Sequence, residues 1–193
     1  EKAEALETEI ERLLVTVRAA SEMHVPIVRA FTGDVKPGIT LADVRDNIII
    51  AFRAACEEAA ALNVTLGIEN HGRLINDGPA LAALVDDVGA DNLGFTIDTG
   101  NFAWAGHGPD QVRDDFAAVL PRVVNVHIKD GVWADEGFTF VPAGEGELPL
   151  VWLLEALQDQ GYDGSVCSEF EGGGDFVAGT AGSIVFLKET LGQ

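Results

Sequence analysis

A regular alternation of short apolar runs with longer segments of helical periodicity is the feature that most constrains the fold of this chain. Runs typical of strands lie at 25–31, 64–69, 93–97, 123–128 and 165–170, and helical segments lie at 1–23, 40–62, 79–89, 110–120, 149–160 and 176–191. Five consecutive strand–helix units predict a parallel sheet with helices packed outside it. A doubly wound sheet and a (β/α)8 barrel both fit this order, but no GxGxxG joins the first strand to its helix, so nothing favours a nucleotide-binding sheet.

The charge of the chain excludes several classes of partner. It has 12 Lys and Arg against 32 Asp and Glu, a formal net charge of −20. A surface this acidic repels both a nucleic-acid backbone and an anionic membrane, so we expect neither as a partner. Apolar stretches such as 47–52 are far too short to span a bilayer. The two cysteines, Cys56 and Cys167, form no CxxC, which fits a reducing compartment, and we expect a cytoplasmic protein.

Residue parity within the last four predicted strands indicates a functional site. Alternate residues of a strand face opposite sides of a sheet, and in each of these strands one set is apolar while the other is small and then ionisable. The ionisable sets end in Glu69, Asp98, His127 and Glu169, each at the C-terminal end of its strand. Barrel enzymes build their active sites at this rim, from the ends of several strands.

Carboxylates and an imidazole that meet at one rim need a cation, because a buried carboxylate is costly unless it is paired or bound to a metal. The parity therefore predicts one divalent metal ion held by Glu69, Asp98, His127 and Glu169. Ligands without thiolate suit Mn²⁺, Mg²⁺, Co²⁺ or Zn²⁺, and we take Mn²⁺ as the expected ion. Alternatives stay open: an acid at a strand end is often a solvated loop residue, His127 alone would be a satisfied core histidine, and Glu171 shares the parity of Glu169.

Five short segments occur in a characteristic order, namely Ile68-Glu69-Asn70-His71-Gly72, Ile97-Asp98-Thr99-Gly100-Asn101, Val126-His127-Ile128-Lys129-Asp130, Gly144-Glu145-Gly146 and Ser168-Glu169-Phe170-Glu171. Together they resemble the xylose-isomerase-like TIM-barrel superfamily, in particular its sugar phosphate isomerase/epimerase group. The resemblance covers nearly the whole chain, from about residue 25 to the C-terminus. It implies a (β/α)8 barrel whose later strands supply a Glu–Asp–His–Glu metal site, which matches the parity of the strands.

The resemblance also implies a reaction. A sugar, sugar phosphate or related hydroxy-ketone would chelate the metal through a hydroxyl and a carbonyl oxygen, and the metal would stabilise the enediolate formed when a proton leaves carbon. Glu69 and Glu169 would be the acid–base pair. His71, Asn101 and Lys129 would orient substrate oxygens, with support of the ligands or rim salt bridges as the alternative role. Arg29, inward by parity on the first strand, is a candidate for binding an anionic group of the substrate.

The length of the chain departs from this family. A full barrel has about 250 residues, and the order of the segments places the first visible strand fourth in the barrel. We therefore expect a single domain, 1–193, that lacks its first three strand–helix units. Such a domain would have open sheet edges. Either another copy supplies the missing part in a homo-oligomer, or the domain is less stable than its relatives.

Three rival functions follow from the same superfamily. A dehydratase acting on an inosose or on dehydroshikimate starts from the same metal-stabilised enolate. A degenerate, non-catalytic barrel is the alternative that is not an enzyme. A DNA-repair endonuclease is excluded, because it needs an additional histidine where Asn101 stands. Residues that choose the substrate are expected largely in the missing strands and in loops 72–78, 102–109 and 131–143. Phe102, Trp104 and Trp133 in these loops would stack on a sugar face or form a subunit contact.

Overall fold

The computed structural model describes residues 2–135 and 137–193. The α-helices are α1 (Lys2–Glu22), α2 (Leu41–Ala61), α3 (Gly78–Val88), α4 (Asn101–Trp104), α5 (Pro109–Val119), α6 (Leu150–Asp159) and α7 (Phe176–Leu191), with a 3₁₀ turn at Leu120–Arg122. The strands are β1 (Ile27–Ala30), β2 (Thr65–Glu69), β3 (Leu93–Asp98), β4 (Val123–Ile128), β5 (Asp130–Ala134), β6 (Gly137–Val141) and β7 (Val166–Ser168). No helix among the described residues is long and apolar enough to cross a membrane.

Five of the strands form one parallel sheet in the order β1-β2-β3-β4-β7. Each strand pairs with the next strand of the sheet along the chain, and a helix packs outside each connection, so the sheet curls into part of a (β/α)8 barrel. The strand–helix alternation expected from the sequence is confirmed. The first and last strands are shorter than expected, spanning 27–30 and 166–168, because each pairs on one side only within the described chain.

Local signals in the sequence explain where the helices begin and end. Before α2, the carboxylate of Asp43 accepts hydrogen bonds from the backbone N–H of Thr40 at 2.8 Å and from its hydroxyl at 2.6 Å. Before α3, Asp77 accepts from the backbone N–H of Ala80 at 2.8 Å. Gly89 ends α3 at φ +72°, in the left-handed region that glycine adopts without strain.

The apolar residues of the strands form the core between sheet and helices. Leu66 and Ile68 of β2 and Val126 of β4 are fully buried, and they pack with the inner faces of the helices, represented by Leu84 and Leu153. The polar residues of the same strands therefore face the opposite side, which is the interior of the curled sheet. This division of faces agrees with the parity of the sequence.

Residues 131–143 were expected as a loop, and this expectation is wrong. Strands β5 and β6 pair as an antiparallel hairpin, from Asp130 opposite Val141 to Ala134 opposite Gly137. The aromatic and β-branched residues at 132–133 and 138–141 are typical of strands and were the available signal. The expected loop 102–109 likewise begins with the short helix α4, from Asn101 to Trp104.

The hairpin is anchored at its base by the buried carboxylate of Asp130. Oδ1 accepts backbone hydrogen bonds from Gly131 at 2.8 Å and Leu148 at 3.2 Å, and Oδ2 accepts from Gly144 at 2.9 Å and Gly146 at 3.1 Å. One side chain thus ties the start of β5 to the loop that returns from β6. The hairpin is held beside the rim where β3 and β4 end.

Candidate metal centre

Four strands of the sheet carry the predicted ligand residues to one rim. Glu69 and Asp98 are the last residues of β2 and β3, His127 is the penultimate residue of β4, and Glu169 directly follows β7. Because the strands are parallel, their C-terminal ends lie at the same edge of the sheet. One potential ligand atom from each of the four residues lies within 4.8 Å of all the others. The structure thus brings together the whole set that strand parity predicted.

Glu69 contacts three basic side chains. Its side chain is 1% exposed, and Arg29 Nη1 donates to both of its carboxylate oxygens, at 3.0 and 3.3 Å. His127 Nδ1 lies 3.0 Å from Oε1, and His71 Nδ1 lies 3.4 Å from Oε2. Burial pushes the pKa of Glu69 upward, but His127 and Arg29 outweigh burial and hold the pKa below its ordinary value. Glu69 is therefore ionised at neutral pH.

Hydrogen bonds restrain both the backbone and the side chain of Asp98. The amide of Asn70 donates to the Asp98 carbonyl at 2.9 Å and accepts from its N–H at 2.8 Å. Oδ1 accepts from the backbone N–H groups of Gly100 and Asn101 at 3.0 and 3.2 Å, while Oδ2 lies 2.9 Å from Lys129 Nζ. Burial raises the pKa of Asp98 to about 6, because together with the neighbouring carboxylates it outweighs the charge of Lys129.

Lys129 is a buried cation at the edge of this cluster. Its side chain is 4% exposed, and Nζ lies 2.9 Å from Asp98 Oδ2, 3.0 Å from Glu171 Oε2 and 3.4 Å from Asn101 Oδ1. Burial lowers the pKa of Lys129, but Asp98 and Glu171 outweigh burial and hold the pKa above its ordinary value. Glu171, the alternative ligand to Glu169, therefore points its carboxylate at Lys129, and Glu169 is the residue within the cluster.

His127 presents its two ring nitrogens to different partners. Nδ1 faces the carboxylates, 3.0 Å from Glu69 Oε1 and 2.9 Å from Glu169 Oε2. Nε2 lies 3.0 Å from Asn125 Nδ2, on the same face of β4. Asn125 was missed as a functional candidate, although it shares the parity of His127 and Lys129 and that parity was the available signal.

The residues of this cluster fit a divalent metal ion. Asp98 Oδ2 and Glu169 Oε2 are buried oxygens that accept no well-aligned hydrogen bond from the described part of the chain, although Lys129 Nζ and His127 Nδ1 each lie 2.9 Å from one of them. Such atoms are costly to bury unless a cation or a donor faces them. The donor set of carboxylate oxygens and one imidazole nitrogen is the chemistry that Mg²⁺, Mn²⁺ and Zn²⁺ accept. Burial and, to a smaller extent, Glu69 and Glu169 raise the pKa of Asp98, and a bound cation would favour its ionised form.

Two of the three loop aromatics expected to meet a sugar have other partners. Phe102 is fully buried and packs beside His107, with ring centroids 6.1 Å apart, so it is part of the core rather than a stacking surface. Trp133 Nε1 donates to the carbonyl of His107 at 2.9 Å. Trp104 is 43% exposed, with the Arg73 guanidinium 4.8 Å above its ring. Trp104 is therefore the most exposed of the three, and stacking on a sugar or a subunit contact stays a prediction for it.

A partial TIM barrel with acidic and histidine side chains converging at its C-terminal rim defines the class of this protein. The sequence profile of one family, described as Xylose isomerase-like TIM barrel, matches residues 1–190. The chain belongs to this family.

Similar proteins agree on the fold. A Streptomyces coelicolor protein named provisionally as a hydroxypyruvate isomerase is 35% identical over 136 residues, which are 67% of this chain and 46% of that protein. A xylose isomerase-like TIM barrel protein from Mycobacterium smegmatis, solved in complex with magnesium, superposes with a TM-score of 0.80 at 17% identity, covering 96% of this chain and 68% of that one. A D-tagatose 3-epimerase-like protein superposes with a TM-score of 0.77 at 23% identity, covering 96% and 69%.

The chain spans about half the length of the curated relatives it matches, 44% of one from Methanocaldococcus jannaschii and 46% of the one from Streptomyces coelicolor. The similarity therefore covers only the part of each relative that corresponds to these strands and helices.

Proposed function

We propose that this chain carries the metal-binding and acid–base residues of a divalent-metal-dependent isomerase or epimerase. The substrate class is a sugar, a sugar phosphate or a related hydroxy-ketone. The observation that carries the proposal is the convergence of Glu69, Asp98, His127 and Glu169 within 4.8 Å at the rim of a TIM barrel. The name of the Streptomyces coelicolor relative, a hydroxypyruvate isomerase, is consistent with this reaction class.

Glu69, Asp98, His127 and Glu169 would hold the ion, and Mn²⁺ is the ion we propose. A divalent ion at this position supplies a Lewis acid for the carbonyl oxygen of the substrate. The ionised Asp98 would serve only as a ligand, because Lys129 and two backbone N–H groups already restrain its carboxylate. His127 would bind through Nδ1, the nitrogen that faces the carboxylates.

Glu69 and Glu169 are the proposed acid–base pair. Arg29 and His127 keep Glu69 ionised, so its carboxylate is ready to accept a proton from carbon. Glu169 is far more accessible, with 36% of its side chain exposed against 1% for Glu69. The two carboxylates meet the site from β2 and β7, which lie on either side of β3 and β4. A substrate held between them would be open to proton transfer on either face.

Three further side chains would orient substrate oxygens. Asn101 Nδ2 is a buried donor that has no hydrogen-bond partner in the described chain, and Lys129 Nζ lies beside it. His71 is 55% exposed and packs its ring against Phe31 at 4.5 Å. Arg29, proposed from the sequence to bind an anionic substrate group, is already engaged with Glu69. We therefore propose that Arg29 acts chiefly through that carboxylate.

Proton exchange in D₂O tests this function. The chain, loaded with Mn²⁺ after EDTA treatment, is incubated with a panel of ketoses and hydroxypyruvate, and the products are analysed by NMR. Deuterium incorporated at the carbon next to the carbonyl, with the carbon skeleton retained, supports an isomerase or epimerase. Glu69→Gln and Glu169→Gln should each lower the rate by at least about 100-fold, the lower end of the range for a single acid–base group. Glu189→Gln, on the C-terminal helix, is the matched control.

Other outcomes would overturn the proposal. Loss of water from an inosose or from dehydroshikimate, without isomerisation, would identify a dehydratase. Metal binding without proton exchange on any substrate would refute the proposed enzymatic activity and indicate a non-catalytic barrel that only binds metal. Exchange that persists in both glutamine variants would remove the assigned acid–base pair.

A further inference from the structure

Asn125 lies directly below the candidate metal centre and has no role in the function proposed above. It precedes His127 by two residues on β4, so the two side chains share the interior face of the sheet. Its Nδ2 atom lies 3.0 Å from His127 Nε2. In the sheet it is paired with Thr96 of β3, whose buried hydroxyl has no hydrogen-bond partner among the described residues.

The contacts of His127 define which nitrogen carries its hydrogen. A neutral imidazole has one donor and one acceptor nitrogen. Nδ1 lies 3.0 Å from Glu69 Oε1 and 2.9 Å from Glu169 Oε2, and ionised carboxylates only accept hydrogen bonds. Nδ1 therefore carries the hydrogen in this arrangement, and Nε2 is the acceptor. The amide Nδ2 of Asn125 supplies the matching donor.

Metal binding reverses this assignment. An ion bound by His127 Nδ1 needs the lone pair of that nitrogen, so the hydrogen must move to Nε2. A ligating histidine almost always donates its other ring N–H to a fixed acceptor. Asn125 can provide one, because a half-turn of its amide replaces Nδ2 with Oδ1 at the same position. The amide of Asn125 thus offers both a donor and an acceptor to the same ring nitrogen.

We propose that Asn125 is a positioning residue for the metal centre, holding His127 in one ring orientation while its amide turns from donor to acceptor as the metal binds. The inference rests on the proposed function, because it assigns to His127 Nδ1 the role of a metal ligand. Asn125 touches neither the substrate nor the ion, so its effect is exerted through His127 alone.

Titration calorimetry with Mn²⁺ tests the acceptor role. Asn125→Leu keeps the branching at Cγ and has no polar side-chain atom, and it should weaken Mn²⁺ binding about 10- to 100-fold, the range found for partners of ligating histidines. Asn125→Asp keeps an acceptor and should bind within a fewfold of the unchanged chain. Thr96→Val is the matched control, because it removes a polar atom from the same layer without touching His127, and its affinity should not change. Circular dichroism would establish that each variant is folded.

The hydrogen on His127 can be observed directly. In a mildly alkaline buffer containing EDTA, long-range ¹H–¹⁵N NMR should show the Nδ1–H tautomer, and addition of diamagnetic Zn²⁺ should convert it to Nε2–H. A metal-free Nε2–H tautomer would overturn the inference. Two calorimetric results would do the same: Asn125→Leu binding Mn²⁺ as tightly as the unchanged chain, or Asn125→Asp binding Mn²⁺ as weakly as Asn125→Leu. An unchanged chain that binds no metal at all would instead refute the proposed function on which the inference depends.

Discussion

Asp98 carries its negative charge where water does not reach, with 0% of the residue exposed and Lys129 Nζ 2.9 Å away. One cation is not enough there, because Glu69 and Glu169 lie within the same cluster. Burial raises the pKa of Asp98 to about 6, and the two neighbouring carboxylates add to that rise. The charge of Lys129 therefore does not offset burial and the neighbouring carboxylates, and a bound cation would favour the ionised form of Asp98.

Metal addition should stabilise the chain through these residues. An ion that binds only the folded chain at 100 times its Kd adds about 2.7 kcal/mol to the free energy of unfolding. For a domain of this size we expect a rise in Tm of about 5–10 °C. Thermal unfolding after EDTA treatment, with and without Mn²⁺, measures it. Glu169→Gln should abolish the rise and Glu189→Gln should preserve it, and a transition indifferent to Mn²⁺ in the unchanged chain would contradict the metal site.

The pKa of Asp98 predicts how stability changes with pH in the absence of metal. Folding raises this pKa from 3.8 to about 6, so the folded chain binds the proton more tightly than the unfolded chain. The resulting stabilisation is complete below 3.8 and is lost as the pH rises through about 6. Since one pKa unit corresponds to about 1.4 kcal/mol, the loss is at most about 3 kcal/mol.

Urea unfolding in EDTA at a series of pH values measures this effect. Asp98→Asn cannot titrate. The difference in free energy of unfolding between the unchanged chain and Asp98→Asn should therefore fall as the pH rises from 3.8 to about 6. Asp135→Asn, an exposed carboxyl group on the hairpin, is the control. A difference that does not vary with pH would mean that burial leaves the pKa of Asp98 unshifted.

Much of the candidate site was predictable from the sequence, and the reason is geometric. Side chains of a strand alternate strictly between two faces, and parallel strands end at one edge, so Glu69, Asp98, His127 and Glu169 could be assigned to one rim without coordinates. Contacts between neighbouring strands were not predictable. The bond from Arg29 to Glu69 depends on the curl and register of the sheet, which parity does not specify.

The β5–β6 hairpin shows a second limit, at the level of the element. Its strands follow β4 almost without a break, and only Lys129 separates Ile128 from Asp130. The alternation of strand and helix in the sequence does not predict a hairpin between a strand and its helix. The strand-forming residues of β5 and β6 were therefore interpreted as a loop. Its position depends on Asp130, whose carboxylate accepts from the N–H of Gly131 and from three backbone N–H groups 14 to 18 residues further along the chain. No periodicity reports contacts of this kind.

A single methyl group should disrupt this anchor. A Cβ added at Gly146 would overlap Oδ1 of Asp130 and lie 2.6 Å from the backbone nitrogen of Gly131. Gly146→Ala therefore has to break at least one of the buried hydrogen bonds, and we expect a loss of about 1–3 kcal/mol in the free energy of unfolding. Gly173→Ala, where an added Cβ meets no atom within 4 Å, should change it by less than about 0.5 kcal/mol. Equal stability of the two variants in urea would contradict the anchor.

At the scale of the whole molecule, the sheet has two edges within the described chain, β1 and β7. Each pairs on one side, whereas β2, β3 and β4 pair on both. Edge strands open more readily and are the places where another chain can add. The five-strand order was predictable because each unit repeats the last, but the sequence pattern contains no information on what covers these edges.

Hydrogen exchange should reveal the difference between edges and centre. We expect amides of β7 to exchange at least about tenfold faster than those of β3, which corresponds to about 1.4 kcal/mol in the free energy of opening. Mass spectrometry at two protein concentrations measures it. Protection at β1 and β7 that increases with concentration would show that a second copy covers the edges. Uniform protection at low concentration would contradict the open-edge description.

The glycine-containing loop at 144–148 has the geometry of an anion-binding nest, yet its anion is part of the chain. Gly144, Gly146 and Leu148 donate their backbone N–H groups to Asp130. The two N–H groups between them donate to the carbonyls of Pro142 and Gly131. A phosphorylated substrate would therefore find every amide of this loop already taken. The backbone N–H groups of this loop are therefore not available to bind a phosphate group, and inorganic phosphate should not compete for the loop.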